Sequence, residues 1–282
     1  MAQVLFGKSY KINMFTRKNA TYLINDEQID MILKDPANPL TVISGLIPQN
    51  ATILDIGSGS GTLARVLNKT GKKIFIDAID NNEQAAFLCK NIYRTFFNSS
   101  VEDILNTLDF NQYDYIILAD VLEHMSLPDI FLENLKKKLS PHTKIIVSLP
   151  NIAFGIIRLA LLNGIFQYKD SGILEKTHLR FFTYQSCIQL FSNSKFKIAS
   201  TYYLERDILY TEIDDTQKFI NPILFYFILK KSYSNVYQFL FVLTSSFESD
   251  TKVCIGTNSH FLDIILYNLR ILKKRLFQNE KA

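Results

Sequence analysis

From about residue 51 the chain alternates between short apolar runs and stretches whose apolar residues recur at helical spacing. Ala51–Ile56 predicts a strand and Thr62–Lys69 the helix after it. Lys73–Ile79 and Glu83–Tyr93 repeat the pair, and Phe96–Phe97 marks a weaker third strand. Tyr113–Ala119 predicts a fourth strand, Pro128–Leu139 a helix ending at Ser140–Pro141, and Lys144–Leu149 a fifth strand. Strands that alternate with helices predict a parallel sheet covered on both faces. In such sheets ligands bind beyond the carboxyl ends of the strands, where strand order reverses.

On either side of this block the pattern differs. Residues 22–47 look helical in pieces, broken near Asp35–Pro36 and Asn38–Pro39. After Pro150 come an apolar helical stretch, Asn151–Phe166, and a polar one, Gln167–Lys176. A helix near Gln185–Phe191 and strands at Phe196–Leu204 and Val236–Leu243 complete a sheet. The expected architecture is α/β: a doubly wound, seven-stranded, mostly parallel sheet in one domain over residues 1–245. That domain includes a helical N-terminal segment, 1–48, and a lid insertion, 152–176. Residues 246–282 are expected to form a separate helical tail.

Composition narrows the class. With 48% hydrophobic residues in 282, one large core is affordable by area alone, and 21% charged residues is ordinary for a folded protein. The net charge of +4 permits an anionic ligand or surface but does not argue for nucleic acid. Cys89, Cys187 and Cys254 lack any metal-finger spacing and read as thiols of a reducing compartment. The first residues lack the apolar core of a secretory signal. The longest apolar run, Phe219–Leu229, is interrupted by Asn221 and Pro222 and is too short for a bilayer. A cytoplasmic protein is expected.

The central chemical signal is ILDIGSGSGTLARVL, residues 53–67. An apolar strand runs into Asp55, then Gly57, Ser58, Gly59 and Gly61, then a helix. Glycines let the backbone turn tightly and let a ligand approach the main chain, and a helix start offers free N–H groups. A dinucleotide fingerprint would place its third glycine at position 62, which is Thr, and no Gly-Lys-Ser/Thr follows for a phosphate loop. Asp80 ends the next strand, 19 residues after Gly61, where an acid can accept hydrogen bonds from ribose hydroxyls. Asp77 lies nearer mid-strand and is the poorer candidate.

This D-x-G-x-G-x-G form resembles motif I of the class I S-adenosylmethionine-dependent methyltransferases. The resemblance implies S-adenosyl-L-methionine as cofactor, with Gly57–Gly61 against its methionine part and Asp55 ordering its amino group. Asp80 and Asn81 would lie by the ribose, Ser100 and Val101 by the adenine, and Ala119 beside the cofactor at the end of the fourth strand. Similar enzymes often carry Gly-Asp-Ile-Glu after the third strand; here the residues are Ser99-Ser100-Val101-Glu102, with Asp103 a substitute acid.

Beyond the fourth strand stand Asp120-Val121-Leu122-Glu123-His124, then Leu149-Pro150-Asn151, then Thr177-His178-Leu179-Arg180-Phe181-Phe182-Thr183. The trio resembles a bacterial group of methyltransferases associated with cell-surface glycan synthesis, and its first segment resembles the quinone-pathway O-methyltransferases. Asp120, Glu123, His124 and His178 also resemble the metal ligands of small-RNA 3′-terminal ribose methyltransferases. That likeness implies a divalent ion, Mg²⁺ or Mn²⁺. A hydroxyl acceptor must lose a proton, so His124 is either the general base or a metal ligand, with Glu123 and His178 beside it in the catalytic set. Capping, solvation and backbone pairing are the structural alternatives for these side chains. His142 and His260 look peripheral.

The acceptor is thus expected to be a small molecule or glycan precursor, with a quinol or an RNA 3′ end as alternatives. A fourth alternative is a module that binds the cofactor without catalysis. No basic stripe points to nucleic acid. Residues 152–166 form either an acceptor lid or a core helix. Arg158, Lys169, Lys176 and Arg180 are cations that an anionic acceptor could meet. Phe261–Phe277 is amphipathic and basic, suited to a membrane surface, to packing on the domain, or to a second copy in a homodimer.

Overall fold

A computed structural model describes residues 24–89, 91–207, 227–228, 230–245 and 251–255. Two N-terminal helices, α1 (Asp26–Lys34) and α2 (Pro39–Leu46), begin at side-chain caps. Asn25 accepts from the Gln28 N–H in a reciprocal capping box, and Asn38 accepts from Leu40 with Pro39 in the first turn.

The α/β alternation follows as β1 (Thr52–Ile56), α3 (Thr62–Lys69), β2 (Phe75–Asp80), α4 (Glu83–Leu88) and β3 (Thr95–Asn98). After it come α5 (Val101–Ile104), β4 (Tyr115–Ala119), α6 (Pro128–Lys136), β5 (Lys144–Pro150) and α7 (Gly155–Leu162). The described chain closes with α8 (Tyr184–Asn193), β6 (Lys197–Glu205), β7 (Val236–Thr244) and β8 (Thr251–Ile255).

The sheet order is β3-β2-β1-β4-β5-β7-β6-β8. β1 to β5 pair in parallel, and β7 inserts antiparallel between β5 and β6. The winding direction reverses between β1 and β4, so the carboxyl ends of these two strands flank the crevice.

Both faces of the sheet are covered. Along β1, Ile53 joins a core with Ile43, Leu63, Ala64 and Leu67 of α2 and α3, while Leu54 and Ile56 join one with Phe131 and Leu132 of α6. Period-two alternation with every residue apolar or buried is what a central parallel strand requires. α7 forms a third, smaller core with Phe154, Ile173, Leu174 and Ile228.

The sheet has eight strands where seven were expected. The extra strand, β8, pairs in parallel with β6 and lies in the stretch expected to be tail, so the sheet extends past residue 245 to 255. Its residues, TKVCI, are mostly exposed, so edge hydrogen bonds rather than burial place it there, and hydrophobic periodicity does not mark such a strand. α4 ends at Leu88, short of the expected Tyr93, and α7 is shorter than Asn151–Phe166. No helix among the described residues is long and apolar enough to cross a membrane. The amphipathic stretch Phe261–Phe277 lies outside the described residues.

Candidate functional site

β1 delivers the chain to a loop in which Gly57, Gly59 and Gly61 all have positive φ, +72°, +53° and +76°. A Cβ on Gly57 would stand 2.8 Å from Val121 Cγ2, a distance side chains do not tolerate. A Cβ on Gly59 would meet nothing within 4 Å, so bare main chain faces open space there. Gly61 opens α3 and packs inward, toward Cys89, Ile92 and Tyr93.

Asp80 closes the loop from β2. Its Oδ2 accepts from the Gly59 N–H at 2.7 Å and its Oδ1 from the Asn82 N–H at 2.9 Å. Each carboxylate oxygen retains a lone pair for a further donor. Asp55, 2% exposed, accepts at Oδ2 from the Tyr93 hydroxyl at 2.7 Å. Burial pushes its pKa up to about 7; the Tyr93 hydrogen bond pulls it down and neighbouring Asp80 pushes it up. Ser58 Oγ is buried with no hydrogen-bond partner among the described residues. Asp77 is excluded from ligand duty. Burial alone would raise its pKa, but Arg94, at 2.9 and 2.5 Å, and Tyr113 hold it below the usual range.

Two adjoining cavities line up on this loop, of about 760 and 1070 Å³. They share Gly57, Gly59, Asp80, Asn82, Asp120 and Thr177. Asp55, Ser58 and Ala119 line the first; Asn81, Ser100 and Val101 line the second. Of the expected cofactor residues only Gly61 lines neither, because it packs behind the loop. Ser100 caps α5 by accepting from the Asp103 N–H at 3.2 Å. The acid on the wall beside it is Glu102, not the suggested Asp103.

The acceptor-side motifs meet backbone to backbone. The Glu123 carbonyl accepts from the N–H groups of Leu179, at 2.8 Å, and Arg180, at 3.0 Å. His124 Nδ1 bonds the Thr177 carbonyl at 3.1 Å, and His178 Nδ1 bonds the Ile173 carbonyl at 3.0 Å. A carbonyl only accepts, so each Nδ1 carries a proton, and Nε2 is the nitrogen of each ring left to face another group. The rings lie 4.8 Å apart, near perpendicular. Burial and neighbouring His124 lower the His178 pKa, keeping that ring neutral.

Glu123 completes the cluster. It is 0% exposed, and neither carboxylate oxygen has a partner among the described residues. Burial first, and the neighbouring Asp120 next, raise its pKa well above the ordinary value. One ligand atom each from Glu123, His124 and His178 lie within 4.8 Å of one another. Asp120 stands outside that group. Its Oδ1 accepts from Ser148 Oγ at 2.9 Å and from Gln238 Nε2, and its backbone is left-handed at φ +57°. Asp120 faces the crevice, yet desolvation raises its pKa; the Ser148 bond and His124 oppose the rise.

The candidate cations are mostly engaged. Arg180 donates to the Ser126 carbonyl, Arg158 to the carbonyls of Ala153 and Ser232, and Lys176 pairs with Asp170 at 2.6 Å. Lys176 and Thr177 nevertheless line the first cavity, whereas none of residues 152–166 lines either cavity. α7 packs as a core helix. Tyr93, Ser148 and Gln238 escaped the sequence reading. A single amide in VYQFLFVLT and a single hydroxyl in KIIVSLP were the available signals for the last two.

A family model described as "Methyltransferase domain" matches residues 29–201. A ubiquinone biosynthesis O-methyltransferase of Rickettsia bellii is 33% identical over 103 residues, covering 35% of this chain and 42% of that protein. A mitochondrial ubiquinone biosynthesis O-methyltransferase of Dictyostelium discoideum is 29% identical over 38% of this chain and 37% of its own length. The chain thus spans less than half the length of these relatives. Among solved structures, a SAM-dependent methyltransferase from Archaeoglobus fulgidus superposes with TM-score 0.52 at 15% identity, over 77% of this chain and 94% of that one. Magnesium protoporphyrin IX methyltransferase from Synechocystis, with bound SAH, gives TM-score 0.50 at 14% identity, over 80% and 90%. At these identities the likeness is one of fold.

Proposed function

This chain belongs to the methyltransferase-domain family, and from that premise we propose that it is an S-adenosylmethionine-dependent methyltransferase that methylates a hydroxyl oxygen of a sugar or glycan precursor. The observation that carries the hydroxyl reading is His124 on the crevice wall, its Nδ1 tied to the Thr177 carbonyl so that Nε2 is the nitrogen left to take a proton.

The cofactor residues fit the group they would hold. Gly59 offers unobstructed main chain, Ser58 a buried hydroxyl without a partner, and Asp80 spare lone pairs beside the loop. Asp55 would take the amino group, Asp80 with Asn81 the ribose, and Ser100, Val101 and Glu102 the adenine side. When bound, the cofactor supplies an activated methyl group on a sulfonium. What the protein adds is alignment of the acceptor oxygen and removal of its proton, which His124 Nε2 performs as general base.

Alternatively, Glu123, His124 and His178 fit a divalent ion such as Mn²⁺ or Mg²⁺, in which case His124 Nε2 would be a ligand and not the base. Both imidazoles have Nδ1–H tied to a carbonyl, the usual orientation of ligating histidines, and Glu123 is an acid lacking a counter-group. A bound ion would lower the pKa of an acceptor hydroxyl. Asp120 is proposed as an acceptor-facing acid, not as the fourth ligand.

The ubiquinone O-methyltransferase relatives favour a quinol as the second reading. Both readings are tested by mass spectrometry of sugars, quinols and RNA ends incubated with protein and cofactor, with and without chelator. Addition of one CH₂ to a sugar supports the first reading. Addition to the quinol alone replaces it. His124→Ala is expected to abolish transfer while leaving cofactor affinity nearly unchanged.

A further inference from the structure

Behind the glycine loop lies a phenol that no motif marks. Tyr93 follows α4, its ring is buried, and its hydroxyl donates to Asp55 Oδ2 at 2.7 Å. The same ring lies 3.3 Å from where a Cβ on Gly61 would stand. Asp55 therefore has one oxygen bound from behind by a side chain on a different element. Its other oxygen, Oδ1, has no donor among the described residues, and Asp55 lines the cavity.

We propose that Tyr93 is a positioning residue for the cofactor: its hydroxyl holds Asp55 so that the free carboxylate oxygen meets the cofactor's amino group. The proposal rests on the cofactor reading of this cavity and adds a residue and a pH response to it.

The electrostatics have a definite sign. Desolvation opposes ionisation of Asp55, the phenol favours it, and Asp80 across the loop opposes it. Burial pushes the Cys89 thiol beneath the loop up to about 11, with the Arg65 charge of α3 pulling the other way, so it is a thiol over the relevant range. An ammonium group binds the ionised form of Asp55, so cofactor affinity should rise with pH through about 7. Removing the phenol donor raises the acid's pKa further, so its ionised fraction falls at any pH below that pKa.

Calorimetric titration with S-adenosylhomocysteine tests this in the wild-type protein, Tyr93→Phe and Asp55→Asn, at pH 6.5 and pH 9. Tyr93→Phe keeps the ring and its packing, so a purely structural tyrosine would lose nothing at either pH. The expected result is affinity about tenfold weaker than wild type at pH 6.5, with the two converging at pH 9. Comparing the proteins at one pH cancels the ligand's own titration. Asp55→Asn should bind weakly and vary little with pH. 5′-Methylthioadenosine, which lacks the amino-acid end, should bind wild type and Tyr93→Phe alike. Equal affinities at pH 6.5, or a loss of the same size at both pH values, would overturn the proposal. Wild-type protein that bound the thioadenosine but not S-adenosylhomocysteine would overturn the cofactor placement itself.

Discussion

Gln238 donates its side-chain amide to Asp120 Oδ1, although 118 residues separate the two. The antiparallel strand β7 makes the contact possible, because it pairs with β5 in a register that sets Gln238 opposite Pro150. Ser148 of β5 supplies the second donor to the same oxygen. Two buried polar side chains, one in each of two apolar strands, thus hold an acid in a left-handed backbone conformation at the rim of β4. Such strain persists only where the surroundings fix it.

Gln238→Leu should therefore destabilise the fold by only about 0.5–1.5 kcal/mol, the net worth of one hydrogen bond, because the exposed Asp120 keeps its Ser148 donor. Urea unfolding measures it. Methyl transfer should fall further than S-adenosylhomocysteine affinity, since Asp120 is proposed to face the acceptor.

The glycines of the loop should separate into two kinds. Gly57→Ala forces a methyl into Val121 Cγ2 and should cost stability and cofactor affinity together. Gly59→Ala meets no protein atom within 4 Å, so its stability loss should be confined to the φ +53° strain, about 1 kcal/mol. Its loss of cofactor affinity should be the larger effect, because the new methyl occupies the open side of the loop. Thermal unfolding and calorimetry on both variants check the contrast.

Asp55 ties stability to pH. Its folded pKa, about 7, lies above the ordinary 3.8, so the folded state binds the proton more tightly. The stabilisation this gives is complete below about pH 4 and is lost as pH rises through about 7. Asp55→Asn keeps the Tyr93 contact without a charge. It should match the wild type at pH 4 and exceed it at pH 8 by a few kcal/mol, about 4 at most. Urea midpoints at the two pH values decide.

The buried acid grouped with two imidazoles gives a fourth prediction. Mn²⁺ added alone should give a bound electron paramagnetic resonance signal in the wild type. His178→Ala should lose that signal, and Asp120→Asn should retain it because Asp120 is committed to Ser148 and Gln238. Retention of the signal in His178→Ala would end the ion proposal.

The parts of the fold legible in the sequence are those written in local pattern. α3 occupies Thr62–Lys69 as expected, since the glycines before it and Gly71 after it punctuate the chain. The glycine turn, the place of Asp80 at the end of β2 and the joining of Glu123, His124 and His178 were likewise readable, from motifs at strand ends. What escaped depends on long-range geometry. α4 stops at Leu88, and the chain then turns to bring Tyr93 beneath Asp55 and Arg94 against Asp77. Helical periodicity alone runs through that turn. The separation of Asp120 from the other three was invisible for the same reason, because its partners lie on β5 and β7.

β8 runs parallel to β6, which itself points the same way as β1, β4 and β5. Ile255 accordingly ends on the rim that carries the crevice, at the far margin of the sheet. A truncation after Ser245 would strip β8 from the outer side of β6 and turn a covered strand into an adhesive border. A fusion joined just after Ile255 would emerge on the crevice side of the molecule rather than its back.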